Sequence, residues 1–155
     1  MLVEKFPREF VTDGLEQLLT DTITDNPYIP ITPYNKQKLS LLYANYVTDF
    51  TLNQLLVGAG GFGGKTYLGS MLAAQYLLSK EDYTCLVTRR NYAELLDTNS
   101  IWENLVSWCC DDERLSKDEL CSFKQSPSPI IEHPNGNRIY FKAFDNPKKK
   151  QKLKS

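Results

Sequence analysis

A lysine and a threonine, Lys65 and Thr66, close the run Gly58, Ala59, Gly60, Gly61, Phe62, Gly63, Gly64. Residues of these types in this order suit the binding of a polyphosphate. Glycines let consecutive backbone N–H groups turn inward around phosphate oxygens, because side chains would block the approach and several positions need positive φ. A helix starting just after the run adds a favourable partial positive charge. Lys65 is then able to reach the β and γ phosphates as a point charge, and the Thr66 hydroxyl to ligate a bridging Mg²⁺. The expected nucleotide contacts are therefore Gly60, Gly61, Phe62, Gly63, Gly64, Lys65 and Thr66, with ATP and Mg²⁺ as the ligands. Lys65 is the expected catalytic residue, stabilising the transferring phosphoryl group, and Thr66 the expected metal ligand. Aligned on GxxxxGK[ST], the first position holds Ala59, with Gly58 one residue earlier. Phe62 has two readings: a cover over a base or a neighbouring subunit, or an apolar loop residue packed on its own domain.

The flanking pattern supplies the elements that such a loop requires. Residues 51–57 are short, apolar and end at the glycines, as a buried strand does. A helix is expected from near Lys65 to about Lys80, apolar nearly all round through Leu68, Met71, Leu72, Tyr76 and Leu77. Tyr83 to Thr88 reads as a second core strand, which makes a strand-helix-strand unit with a right-handed parallel crossover. A helical segment to about Leu96 follows, then another from Ser100 to Cys109, where Ser100 and Glu103 form a capping box over a stripe of Trp102, Leu105, Val106 and Cys109. Asp111 to Glu119 reads as a charged surface connection. It leads through Ser126, Pro127, Ser128 and Pro129 to a β-hairpin, Ile130–Glu132 and Arg138–Phe144 about Pro134, Asn135 and Gly136. Ahead of the loop, residues 12–23 suit a short helix capped by Asp13 and Glu16. A second helix restarts with Thr32 as N-cap and Pro33 in its first position, followed by Leu39, Leu42, Tyr43 and Tyr46 at helical spacing.

Bulk properties bound the remainder. A chain of 155 residues with 41% apolar content can bury one ordinary core. Its formal net charge of -1 gives no long-range attraction to nucleic acid or to an anionic membrane. No stretch approaches the roughly 20 apolar residues of a membrane span, and Glu4, Lys5, Arg8 and Glu9 exclude a signal-peptide core, so a cytoplasmic protein is expected. Cys85, Cys109, Cys110 and Cys121 form no CxxC pair, and His133 has no metal-ligand spacing to them, which leaves buried thiols as the expectation.

With the loop in place, residues 30–155 resemble the N-terminal ATPase region of phage terminase large subunits. Pro33, Tyr34 and Gln37 look like that family's adenine-recognition segment, in which a glutamine reads the base edge and an aromatic stacks; the residues alone suit an ordinary helix start equally well. Leu86 to Tyr92 resemble its strand-to-helix segment, whose Arg89 and Arg90 are candidates for phosphate, DNA or a neighbouring subunit, or are simply solvated. Residues 134–141, with Lys152, Leu153, Lys154 and Ser155, look like the hairpin ahead of the family's second nucleotide motif. The resemblance implies an incomplete P-loop NTPase fold: a three-layer α/β/α domain around a mostly parallel sheet, with the hairpin near its end. It divides the chain into a helical lead-in, 1–29, and the N-terminal part of an ATPase domain, 30–155.

By the same resemblance, the full-length protein would couple ATP hydrolysis to translocation of double-stranded DNA in the host cytoplasm. It would do so as a homo-oligomeric ring, alongside a terminase small subunit and a portal protein. One departure limits this. No run of four apolar residues followed by Asp-Glu or Glu-Glu occurs after the loop, so no metal-holding aspartate or catalytic glutamate is identified, and hydrolysis by this chain alone is expected to be weak or absent. A truncated reading frame or an N-terminal fragment is expected, with poor solubility, because a parallel sheet lacking strands leaves unpaired edges. A helicase-like P-loop ATPase and a truncated, non-catalytic remnant are the alternatives. The lysines at 148, 149, 150, 152 and 154 suit either contacts to DNA phosphates or a solvated end.

Overall fold

The computed structural model describes residues 26–34, 37–41, 44, 64–78 and 81–144. The expected helix at 12–23, the strand at 51–57 with its parallel crossover, most of the glycine run and the lysine-rich end lie outside the described residues. Within them the chain forms α1 (Lys65–Ala74), β1 (Thr84–Arg89), α2 (Tyr92–Leu95), α3 (Ile101–Cys109), β2 (Ser122–Lys124), β3 (Ile130–Glu132) and β4 (Arg138–Ala143). The content is mixed α/β. One four-stranded sheet has the order β1-β4-β3-β2. β1 pairs parallel to β4, from Thr84 opposite Arg138 to Arg89 opposite Ala143, whereas β3 pairs antiparallel to both β4 and β2. The described sheet is thus mixed, not mostly parallel, because the hairpin supplies two of its four strands.

β4 forms because its side chains alternate: Ile139 and Phe141 are buried while Arg138 and Lys142 are exposed. The hairpin turn closes as its residues predict, with Gly136 at a φ of 94° and its N–H donating to His133 O at 2.9 Å. β1 sits one residue later than Tyr83–Thr88. The Tyr83 N–H donates to the side-chain oxygen of Asn137 at 2.8 Å instead of entering the ladder. β2 was not legible, since its three residues are all exposed and show no alternation. Pairing with β3 alone makes it a strand.

α3 keeps its expected bounds and its cap, Ser100 Oγ accepting from Glu103 N at 3.2 Å. Glu103 reaches back to Asn99 N, one residue before the cap. Its buried stripe is Trp102, Leu105, Trp108 and Cys109. Val106 is only partly buried, since the indole of Trp108 takes the inward position and stacks on Tyr67 at 6.0 Å. Trp102 stands edge-on to Phe141 at 4.9 Å, which joins helix to sheet. α1 packs on α3 so closely that a Cβ at Gly69 would lie 2.7 Å from Ile101 Cδ1. Beside that contact, buried Ser70 accepts from Asn104 Nδ2 at 3.1 Å and donates to Thr66 O at 2.9 Å.

α1 ends at Ala74, well short of Lys80. The carbonyls that would continue it are taken by side chains from distant segments. Gln75 O accepts from Asn26 Nδ2 at 3.2 Å, and Leu77 O accepts from Asn135 Nδ2 at 2.9 Å and Asn137 Nδ2 at 2.8 Å. Tyr76 and Leu77 are still buried, but in a turn. The connection after α3 is charged as expected and nonetheless anchored, with Leu115 buried and Glu119 bonded to Ser116 N at 2.9 Å and Ser116 Oγ at 2.7 Å. Among the described residues no helix is long and apolar enough to cross a membrane.

Candidate functional site

Of the residues expected to hold a nucleotide, Gly60, Gly61, Phe62 and Gly63 lie outside the described residues. Tyr34, Gln37, Gly64, Lys65 and Thr66 lie within them. Gly64 is the N-cap of α1 and has φ 68° and ψ 18°, the left-handed region where a side chain is strained. Lys65 and Thr66 form the first turn of α1, the lysine exposed and the threonine half-buried. Neither the cap nor the first turn carries an acidic residue, so nothing on the helix itself offsets the partial positive charge of its N-terminus. Leu68 N donates to Gly64 O at 3.0 Å, the bond that opens the helix.

Gln37 comes to this turn from a separate helical stretch, 37–41. Its Nε2 donates to Gly64 O at 3.1 Å, 27 positions away in sequence, and its Oε1 accepts from Tyr34 N at 2.8 Å. Lys38 N donates to Tyr34 O at 2.8 Å, so the chain enters its helix at Tyr34 and not at Thr32. The reach of Gln37 back to Tyr34 N is the second half of a capping box, made by a glutamine. This entry turns the helix relative to the expected stripe: Leu41 is fully buried and Leu39 is 51% exposed. Gln37 itself is only 6% exposed, whereas Tyr34 stands 77% exposed beside it. The segment at Tyr34 and Gln37 thus meets the last residue of the glycine run through a single amide.

Arg89 and Arg90 are exposed at the end of β1. The Arg89 carbonyl accepts from Phe144 N at 3.1 Å, which extends the β1–β4 pairing to the 68% exposed Phe144.

A second polar cluster centres on the buried Tyr28, His133 and Asn137, whose spacing in the sequence carries no signal of their meeting. Tyr28 Oη donates to Glu119 O, so the 2.7 Å contact between it and His133 Nε2 has the imidazole as donor. Nδ1 is then the acceptor, and it takes the Asn135 N–H at 3.1 Å. Tyr28, His133, Asn135 and Asn137 together tie the segment ahead of the loop to α1 and to the hairpin. Burial, with smaller contributions from Cys121 and Cys109 nearby, raises the Tyr28 hydroxyl well above its ordinary value, and burial does the same at Tyr83. Such groups hold structure together and do not donate protons near neutrality.

All four cysteines are free thiols, with Cys109 and Cys121 buried and Cys85 and Cys110 half-buried. Burial pushes Cys85 up and carries Cys110 to about 12. Cys109 is raised by its hydrogen bond with Cys121 and then by burial. Raised thiols such as Cys85, Cys109 and Cys110 are disfavoured as thiolate nucleophiles. Among the described residues no group of three His, Cys, Asp or Glu side chains is placed to hold a metal ion. Comparison of the chain with protein-family models, with curated proteins and with solved structures finds no significant match.

Proposed function

We propose that this chain carries the nucleotide-binding part of a P-loop ATPase of the phage terminase large-subunit type. The single observation that supports the reading best is the bond from Gln37 to the carbonyl of Gly64. It joins the segment resembling an adenine-recognition motif to the last glycine of the phosphate run. Gly64 in the left-handed region, Lys65 in the first turn and a helix N-terminus without acidic residues are each what a triphosphate cradle requires. In this reading Mg-ATP binds at Gly60 to Thr66. Lys65 stabilises charge on the transferring phosphoryl group, Thr66 ligates the metal, and Tyr34 offers a face to the base.

The domain would be a three-layer P-loop fold in the cytoplasm of a host cell. The full-length protein would work as a ring with double-stranded DNA, a small subunit and a portal protein, converting hydrolysis into translocation. Titration of Mg-ATP into the chain, followed by calorimetry, tests the nucleotide reading directly. The wild type is expected to saturate, and Lys65→Ala to bind about tenfold more weakly or not at all, since a charge-assisted contact to phosphate is removed. Equal affinity in the two proteins, each shown to be folded, would refute the proposal.

A further inference from the structure

Cys109 ends α3, and Cys121 stands immediately ahead of β2. Both are buried, at 0% and 5% exposure, and both are free thiols. The Cys121 N–H donates to Cys109 O at 2.8 Å. A backbone bond of that length keeps two Cα atoms roughly 5–6 Å apart, inside the window of about 4.4–6.8 Å that a disulfide spans. The side chains follow the backbones, since the two thiols are in hydrogen-bonding contact with each other. The other two cysteines are placed differently. Cys85 is on β1, at the opposite edge of the sheet from β2, three strand spacings or roughly 14 Å away. Cys110 is the half-buried C-cap of α3, one position round the helix end from the residue whose carbonyl holds Cys121.

From this we infer that Cys109 and Cys121 are a modification site, closing to an intramolecular disulfide when the chain meets a low-molecular-weight disulfide such as oxidised glutathione. One cysteine, as its thiolate, attacks the small disulfide, which gives a mixed disulfide and releases one small thiol. The thiolate of the second cysteine then attacks the protein sulfur of the mixed disulfide and expels the other small thiol. Two protein thiols are oxidised, one small disulfide is reduced to two thiols, and the two protein protons end on the released sulfurs. The bridge orphans no buried polar group. The thiols are each other's partners, and Tyr28 Oη, which also lies against Cys121, keeps its contacts with Glu119 O and His133 Nε2. Closure makes a loop of residues 110–120 and ties the end of α3 to the start of β2, a strand that among the described residues pairs with β3 alone. Such a cross-link removes freedom from the unfolded chain, so the oxidised form is the more stable. Burial shields both sulfurs in the closed fold, and the reaction therefore proceeds through local opening of the 111–120 connection. Nothing in this depends on the nucleotide reading.

The test starts from the whole, reduced wild-type chain, held without denaturant in a series of buffers from reduced to fully oxidised glutathione. Remaining thiols are trapped with iodoacetamide, and the unreduced peptides are mapped by mass spectrometry, with fragmentation to separate Cys109 from Cys110. Two of the four thiols are expected to be lost together, in a bridge from Cys109 to Cys121, while Cys85 and Cys110 take the label. Cys110→Ser, a change at a half-buried position, is expected to form the same bridge. The bridged chain is expected to unfold at a higher urea concentration than the reduced one, and dithiothreitol to return the midpoint to its starting value. A bridge that maps to Cys85 or Cys110, a glutathione adduct that never closes, or four thiols retained in the most oxidising buffer overturns the inference. A bridged chain whose midpoint is unchanged or lower overturns the stabilising role assigned to the link.

Discussion

Asn137 is 1% exposed, and its side chain bridges two junctions of the chain. It accepts from Tyr83 N at 2.8 Å, just before β1, and donates to Leu77 O at 2.8 Å, just after α1. Truncation to alanine removes that partner from both backbone groups, leaving Asn135 Nδ2 as the remaining donor to Leu77 O. Asn137→Ala is therefore expected to destabilise the fold by about 2–4 kcal/mol, read from urea unfolding. Asn135→Ala, on an exposed residue sharing the same Leu77 carbonyl, should cost clearly less. Gly64 makes a different demand. An alanine there sits at a φ of 68° and pushes on the Gln37 amide, so Gly64→Ala is expected to cost about 1 kcal/mol or more in stability. On the proposed nucleotide reading it should also weaken Mg-ATP binding, because it disturbs the turn that leads into Lys65. A variant as stable as the wild type would show that the left-handed turn is not needed.

Among the elements, α3 shows how far local chemistry reaches. Ser100 caps it, Glu103 reaches back beyond the cap, and the stripe at Trp102, Leu105 and Cys109 is buried as its spacing predicts. Ser100→Ala removes one capping bond and is expected to lower stability by about 1 kcal/mol, measured by the shift of the denaturation midpoint. The same local reasoning fails at α1. Nothing in residues 65–80 marks a stop at Ala74, because the groups that end the helix, Asn26, Asn135 and Asn137, come from elsewhere in the chain. The 37–41 helix fails for a related reason. Thr32 and Pro33 suit a helix start, yet the bond from Gln37 to Gly64 draws that side chain inward and turns Leu39 to the surface. β2 is decided by its partner strand alone. Periodicity registers only what one element shows to water, and these outcomes depend on contacts between elements.

Taken as a whole, the molecule buries several groups that must stay protonated. The Cys85, Cys109 and Cys110 thiols, ordinarily ionising at 9.0, and the Tyr28 and Tyr83 hydroxyls, ordinarily at 10.0, are all raised in the folded chain. Above pH 9 the unfolded chain releases protons that the folded chain retains, so the unfolded state gains stability as the pH climbs. Their contribution is complete below pH 9 and is lost as the pH rises through the folded values, with Cys110 at about 12. The urea midpoint should therefore be level between pH 7 and about pH 8.5 and fall steadily toward pH 11. A midpoint that holds to pH 11 would mean that these groups are open to solvent in the native state.

The order of residues by itself determined the local features: a glycine run ending in Lys65 and Thr66 ahead of a helix, the capped helix at Ser100, the alternation of β4 and the turn at Gly136. Each depends on conformational preferences and spacings within about ten positions, which a linear reading contains. Tertiary structure decided where α1 stops, which residue opens the 37–41 helix, that a third strand joins the hairpin, and that Gln37 meets Gly64 across 27 positions. Those outcomes turn on which buried carbonyl finds which amide. Only the folded arrangement sets that pairing, because a polar group removed from water must find its partner wherever the chain brings one.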